Sequence, residues 1–204
     1  MPPQFIYFDL GKVLLDFSGE RMFRQIAEVA GIEPAAVQEA VFRTGLQEQY
    51  EAGQITGPQF YEIFCQETGT RADYQALRRA GSDIFELNCS IVPVVSQLHR
   101  TGHRLGILSN TCESHWEHCL AHYSILELFS VHALSFRIKS AKPDGAIFRA
   151  AAEMAGVEPQ DIFYTDDLPQ HVEGARAVGF DAVQYTSTPQ LVADLRAREV
   201  DFNY

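Results

Sequence analysis

The sequence predicts an α/β protein whose doubly wound parallel sheet is interrupted by an all-helical insertion. Three observations support this fold class. The short apolar run at residues 5–8 is typical of a buried strand. Residues 17–88 then show helical spacing without a convincing strand, and strands and helices alternate from residue 91 onward. Strands separated by helices of about 10 to 15 residues form a parallel sheet with helices on both faces.

The first strand is followed by several helices. Apolar residues recur at spacings of three and four between Met22 and Val29, and Gly31 is suited to end that helix. Pro34 and Pro58 each stand near the start of a further helical segment. A weaker helical pattern covers residues 74–85. This block therefore predicts helices only.

The order of these elements predicts a discontinuous domain. A strand at residues 5–8 needs a sheet to join, and the next strands lie beyond residue 88. We therefore expect an α/β core formed by residues 1–16 and 89–204, with residues 17–88 inserted. An insert that leaves and returns near the carboxyl edge of the sheet can cover a site there as a lid.

Predicted strands and helices alternate regularly in the second half of the chain. Its predicted strands cover residues 104–108, 131–135, 162–164 and 180–185, and its predicted helices cover 91–101, 112–123, about 142–155, 169–178 and 188–198.

Composition and charge limit the classes of function that the protein can have. The 204 residues are 46% hydrophobic and 21% charged, as in an ordinary globular protein. A formal net charge of −11 argues against a nucleic-acid or anionic-membrane binder. No apolar stretch is long enough to span a bilayer, no signal peptide is evident, and the four cysteines have no framework spacing. We therefore expect a cytoplasmic protein with free thiols.

Polar residues follow several predicted strands. The carboxyl ends of parallel strands lie along one edge, so these side chains can converge. Carboxylates, a hydroxyl, an amide and one ammonium suit a phosphoryl group and a divalent cation, and oxygen ligands favour Mg²⁺ over zinc. An aspartate carboxylate can also act as a nucleophile. The residues concerned are Asp9, Ser109, Asn110, Asp166 and Asp167, with Lys142 in a fourth loop.

The motifs FDLGKV, LSNT, KPD and YTDD, in this order, resemble the haloacid dehalogenase-like hydrolase superfamily, in its branch of small sugar-phosphate phosphatases. The resemblance covers nearly the whole chain, and residues 17–88 look like the helical cap of that family. It implies Rossmann-like topology, a Mg²⁺ cofactor and a small phosphorylated metabolite as substrate, with no nucleic-acid or membrane partner.

The resemblance also implies roles for individual residues. Asp9 looks like the nucleophile that becomes an aspartyl-phosphate, and Lys142 would neutralise it and the phosphoryl group. Ser109 and Asn110 would hydrogen-bond the phosphoryl group. The metal would be held by Asp9, the backbone carbonyl of Gly11 and chiefly Asp167, with Asp166 supporting the metal shell.

Several positions depart from the family pattern, and Gly11 is the one that bears most on the mechanism. Most phosphatases of this superfamily have a second aspartate, a general acid/base, where this chain has Gly11. Relatives with DLGNV include phosphatases, so the departure does not remove activity, but it leaves proton transfer unassigned. Asp16 is a minor candidate for that role. Lys12 is either a second cation for the phosphate or a solvated lysine, and His171 either a proton shuttle or an ordinary helix residue.

One group of side chains resembles a different kind of site. Cys112, His115, Cys119 and His122 have zinc-like spacing, but one straight helix would separate the outer pair by about 15 Å. His115 is a candidate for substrate contact. Haloacid dehalogenases use no metal and lack an acidic pair like Asp166-Asp167, so phosphate chemistry is favoured. The prediction is a Mg²⁺-dependent phosphomonoester hydrolase; the alternatives are a catalytically silent phosphate- and metal-binding protein or a phosphotransferase such as a mutase.

Overall fold

A five-stranded parallel sheet lies at the centre of the structure, a computed structural model that describes residues 2–203. In chain order the strands and helices are β1 (Phe5–Phe8), β2 (Leu15–Phe17), α1 (Gly19–Ala30), α2 (Pro34–Phe42), α3 (Leu46–Glu51), α4 (Gly57–Thr68), α5 (Tyr74–Ser82), β3 (Phe85–Leu87), α6 (Val92–Arg100), β4 (Leu105–Ser109), α7 (Glu113–His122), β5 (Val131–Leu134), α8 (Ser135–Ile138), α9 (Gly145–Ala155), β6 (Ile162–Asp166), α10 (Pro169–Val178), β7 (Asp181–Gln184) and α11 (Thr188–Ala197).

The sheet has the strand order β5-β4-β1-β6-β7, and each neighbouring pair is parallel. The first strand of the chain therefore lies in the middle, between the strands that the later motifs follow. Ile6 is aligned with Leu105 on one side and with Phe163 on the other. This arrangement confirms the predicted α/β fold class.

The central strand is buried on both faces. Phe5 and Tyr7 belong to one apolar cluster, and Ile6 and Phe8 belong to another. Alternate residues of a strand point to opposite faces, so the two clusters lie on opposite sides of the sheet. A strand buried on both faces is apolar throughout, which is why residues 5–8 could be recognised from sequence.

The prediction that residues 17–88 contain no strand was wrong at the two ends of that segment. β2 and β3 form an antiparallel ribbon, in which Leu15 is aligned with Leu87 and Phe17 with Phe85. Each strand has three residues, which is too short for a period-two pattern to be visible. The ribbon brings the beginning and end of the helical segment α1–α5 together.

The helical segment α1–α5 shares an apolar core with one face of the sheet. Met22 and Ile26 of α1 and Val37 of α2 belong to the same cluster of buried residues as Ile6 and Phe8 of β1. In the described part of the chain, no helix combines the length and the apolar character needed to cross a membrane. The boundaries 1–16, 17–88 and 89–204 stay a prediction of domain organisation.

A glycine in β4 allows close packing of the central strand. A Cβ added at Gly106 would lie 2.7 Å from Cε1 of Phe5 and closer still to the Tyr7 ring. We expect Gly106→Ala to lower the free energy of unfolding by about 1–3 kcal/mol, because overpacking displaces these rings. At Gly19 the nearest atom to an added Cβ is Cε2 of Phe23, at 3.9 Å. Urea denaturation should therefore separate Gly106→Ala from Gly19→Ala, and equal stability of the two variants would contradict the packing argument.

Candidate active site

The polar strand ends predicted from sequence lie at one edge of the sheet. Asp9 directly follows β1, Ser109 ends β4 and Asp166 ends β6. Because β1 lies between β4 and β6, these positions are neighbours. The loop before α9 adds Lys142 to the same place. The structure thus brings together segments that are far apart in the chain.

A buried lysine joins two carboxylates at this edge. The Nζ of Lys142 lies 2.9 Å from Oδ1 of Asp9 and 2.6 Å from Oδ2 of Asp166. It also donates to the Leu108 carbonyl at 3.2 Å and to the Tyr164 hydroxyl at 3.0 Å. The Lys142 side chain is 1% exposed, so one buried positive charge is shared by two buried negative charges.

Asn110 fixes the backbone at Lys142. Its Nδ2 donates to the Lys142 carbonyl at 3.0 Å, and its Oδ1 accepts from the Lys142 backbone N–H at 2.7 Å. One N–H of the side-chain amide is not used in these two bonds, and the predicted contact of Asn110 with a phosphoryl group stays a prediction. The Ser109 hydroxyl is buried and donates to the Asn110 carbonyl at 3.3 Å.

The Asp166 carboxylate is surrounded by donors besides Lys142. Its Oδ1 accepts from the Leu168 backbone N–H at 2.9 Å, and His171 Nδ1 lies 3.1 Å from both oxygens. Its Oδ2 also accepts from the Tyr164 hydroxyl. Tyr164 was not predicted as a site residue, although it stands two positions before Asp166 and so points to the same face of β6. His171 contacts this carboxylate from α10, and its role as a proton shuttle stays a prediction.

Three carboxylates form a candidate metal site. One oxygen from each of Asp9, Asp166 and Asp167 lies within 4.8 Å of the others. Among the described residues, no other side chain donates a hydrogen bond to the half-buried Asp167 carboxylate. Because Asp166 already has several donors, Asp167 is the freer ligand. An all-oxygen donor set of this kind fits Mg²⁺.

Burial and charge act differently on the carboxylates. Burial raises the pKa of Asp9 to about 6, with Asp166 acting in the same direction and Lys142 opposing. Burial also opposes ionisation of Asp166, but the Lys142 charge and the hydrogen bonds from His171, Lys142 and Tyr164 hold its pKa well below the usual range. Asp9 is thus the less stabilised anion of the pair.

The pKa values of Lys142 and Asp167 are both raised by their surroundings. Burial would lower the pKa of Lys142, but the charges of Asp9 and Asp166 outweigh burial and raise it. Burial and the nearby Asp166 raise the pKa of Asp167. An additional cation at this edge would relieve the repulsion among the carboxylates.

The side chains of Lys12 and Asp16 lie away from this constellation. Lys12 has a left-handed φ of 59°, and its Nζ donates to the Phe17 carbonyl at 2.9 Å and lies 3.6 Å from Oδ1 of Asp16. The Asp16 side chain is 60% exposed on β2. A Cβ at Gly11 would lie 3.0 Å from Cε1 of Phe17. Lys12 is therefore the surface lysine of the two alternatives, and Asp16 is directed to solvent.

A cleft of about 330 Å³ lies between this edge and the helical segment α1–α5. Gly11, Ser109 and Asn110 line it from the sheet side. His115 of α7 also lines it, and its Nε2 lies 3.1 Å from the Gly81 carbonyl. The predicted contact of His115 with a substrate stays a prediction.

The sequence and the site together define the class of protein. Residues 6–184 match the model of the haloacid dehalogenase-like hydrolase family. The chain belongs to this family.

Individual relatives agree with this class. The chain is 30% identical over 118 residues to phosphatase MT3486 of Mycobacterium tuberculosis, in a match that covers 55% of this chain and 49% of the relative. The match therefore spans about half the length of that curated relative.

Two solved structures show the same fold. The family enzyme bt-2542 of Bacteroides thetaiotaomicron, in complex with magnesium and inorganic phosphate, is 23% identical and has a TM-score of 0.81, with 91% of this chain and 96% of that chain covered. A predicted hydrolase of the family from Porphyromonas gingivalis is also 23% identical with a TM-score of 0.81, covering 96% of this chain and 99% of that chain.

Proposed function

We propose that the protein is a Mg²⁺-dependent phosphomonoester hydrolase that acts on a small phosphorylated metabolite, such as a sugar phosphate, through an aspartyl-phosphate. The observation that carries this proposal is the sharing of Lys142 between Asp9 and Asp166, with Asp167 within metal-binding distance. The magnesium and phosphate bound by bt-2542 and the phosphatase name of MT3486 support it.

In this proposal Asp9 attacks the phosphorus atom and the ester oxygen leaves. Ser109 and Asn110 hydrogen-bond the phosphoryl oxygens, and Lys142 offsets their charge. Asp9, Asp167 and the Gly11 carbonyl would hold Mg²⁺, with Asp166 supporting the site and orienting Lys142. The ion supplies charge neutralisation for the phosphoryl group. Water then hydrolyses the aspartyl-phosphate.

The cleft supports a small substrate. Its volume of about 330 Å³ is at the lower end of the range for small-molecule pockets. Residues 17–88 would act as the cap that covers it. We place the protein in the cytoplasm within this proposal, in keeping with four cysteines that are free in the structure: Cys65, Cys89, Cys112 and Cys119.

Gly11 favours a second candidate function. A chain without an acid at this position could keep the phosphate and metal pocket and bind a phosphorylated metabolite without hydrolysing it. Such a protein would bind Mg²⁺ and phosphate but release none from any ester.

The test is phosphate release from a panel of small phosphomonoesters, with Mg²⁺ and with chelator, by the wild type and by Asp9→Asn. We expect magnesium-dependent release that is lost in the variant, and the ranking of the panel would identify the substrate class. A folded wild type that binds Mg²⁺ but releases phosphate from no compound would refute the hydrolase and leave the silent binding protein.

A further inference from the structure

The lining of the cleft includes carboxyl groups from the helical segment α1–α5. Asp16, the nearest acid in the sequence, is directed to solvent. Among the described residues that line the cleft, the acids are Glu20, Glu48 and Glu51. Glu20 and Glu48 are exposed, whereas Glu51 is partly buried. A proton donor to a leaving group works best when it is held in place and shielded from water, which distinguishes Glu51.

Hydrogen bonds through Ser135 connect the backbone of Glu51 to the loop that follows β4. The Ser135 hydroxyl donates to the Glu51 carbonyl at 2.6 Å, and the same Oγ accepts from the Thr111 backbone N–H at 3.0 Å. Thr111 directly follows Asn110, whose side chain makes two hydrogen bonds to the Lys142 backbone. One buried hydroxyl therefore connects the end of α3 to the loop that would hold the phosphoryl group.

A second contact fixes the end of α3. A Cβ at Gly53, where φ is +63°, would lie 2.9 Å from Cα of Phe136, so this turn packs directly on the α8 backbone. The Nζ of Lys139 donates to the Gly53 carbonyl. With Ser135, these contacts hold the backbone at Glu51 in a fixed position relative to the sheet edge.

The carboxyl group itself has an ordered environment. Its Oε1 accepts from Gln47 Nε2 at 2.8 Å, one turn earlier on α3. Burial raises the pKa of Glu51, and Glu48 acts in the same direction, while Gln47, His115 and Lys142 oppose this rise. The net direction is upward, so this carboxyl keeps a proton to higher pH than an exposed glutamate would.

We propose that Glu51 is the general acid/base of the reaction and acts from the helical side of the cleft in place of a side chain at Gly11. This role rests on the proposed phosphatase function. In the first step a bond forms between an Asp9 oxygen and phosphorus, the ester P–O bond breaks, and Glu51 gives its proton to the departing alcohol oxygen. In the second step the Glu51 carboxylate takes a proton from water as the water oxygen bonds to phosphorus and the bond to Asp9 breaks. The products are the alcohol and inorganic phosphate.

The leaving group provides the decisive test. An alkoxide needs a proton as it departs, whereas p-nitrophenolate is stable without one. Glu51→Gln should therefore reduce kcat/KM for an alkyl phosphomonoester by roughly 10²–10⁴-fold. The first turnover of p-nitrophenyl phosphate should slow by less than about tenfold. The phosphorylated form of Asp9 should then accumulate, because its hydrolysis has lost the base.

The matched control is Glu62→Gln. Glu62 is exposed on α4 and lies outside the cleft lining, so this variant should keep wild-type rates on both substrates. The pH profile adds an independent readout, since the basic limb of kcat/KM for the alkyl ester should disappear in Glu51→Gln. Equal first-turnover losses on both substrates, or an unchanged basic limb, would overturn the assignment and make Glu51 a structural residue.

Glu51→Asp provides a second test if Glu51→Gln does not fold. Glu51→Asp keeps the charge but withdraws the carboxyl by one methylene, and it should show the same contrast between alkyl and aryl substrates with the basic limb retained. Wild-type rates in Glu51→Asp on the alkyl ester would count against the role. A wild type that releases no phosphate refutes the proposed function, whereas an active wild type with a fully active Glu51→Gln refutes only the role of Glu51.

Discussion

Asp9→Asn is expected to lose phosphate release by on the order of 10³-fold or more, because the amide cannot form the aspartyl-phosphate. The same change should stabilise the metal-free protein at neutral pH. Burial raises the pKa of Asp9 to about 6, so between about pH 4 and 6 the native state binds more protons than the unfolded state. The free-energy contribution of Asp9 to stability therefore falls as the pH rises through this interval.

The stability gain of Asp9→Asn should be on the order of 1–3 kcal/mol at pH 7 and should shrink toward pH 4. Urea denaturation in chelator at both pH values measures it. With Mg²⁺ present, the wild type should instead be more stable than Asp9→Asn, because the variant lacks one ligand and gains less from binding the ion. A variant that keeps wild-type turnover, or that is less stable than wild type at pH 7 without metal, would contradict this account of Asp9.

Lys142→Met is expected to have the second largest effect, on both activity and stability. It removes the charge shared by Asp9 and Asp166 and leaves two buried carboxylates without their cation. Breaking a buried ion pair in this way costs about 3–5 kcal/mol. The loss should be greatest near neutral pH and should diminish as the pH falls and the carboxylates take up protons.

The control for Lys142→Met is Lys12→Met, since the Lys12 side chain is 42% exposed and pairs with Asp16 at the surface. That pair should contribute about 1 kcal/mol or less. Magnesium should restore part of the stability lost in Lys142→Met by neutralising the carboxylates, but it should not restore turnover. Equal destabilisation by the two substitutions, measured by urea denaturation at pH 7, would contradict this prediction. It would show that the ion pairs of Lys142 with Asp9 and Asp166 contribute little to the free energy of unfolding.

Much of the site could be predicted because the relevant signals are local. Asp9 directly follows a strand whose four residues are all apolar, and Asp166 is the last residue of another strand, so each acid is identified by the run before it. Parallel pairing then places both acids at one edge of the sheet. The all-helical prediction for residues 17–88 failed at β2 and β3, because three-residue strands have too few positions to show alternation.

The remaining features depend on contacts between distant segments. The Asn110 amide pairs with the backbone of Lys142, 32 positions away, and the Ser135 hydroxyl reaches the Glu51 carbonyl, 84 positions away. No periodicity or motif reports such contacts, because they arise when the loops pack together. Tyr164 is the exception, since its spacing of two from Asp166 on β6 would have identified it.

The most direct test of the central claim is to look for the phosphoryl group on Asp9. Wild-type protein and Mg²⁺ would be mixed with a small phosphomonoester that it hydrolyses, stopped in acid within the first turnover, and digested for mass analysis of the peptide that contains Asp9. The account predicts one added phosphoryl group on that peptide, absent in Asp9→Asn and lost from the wild type when the substrate is exhausted. Phosphate release with no phosphoryl group on the Asp9 peptide at any quench time would contradict it.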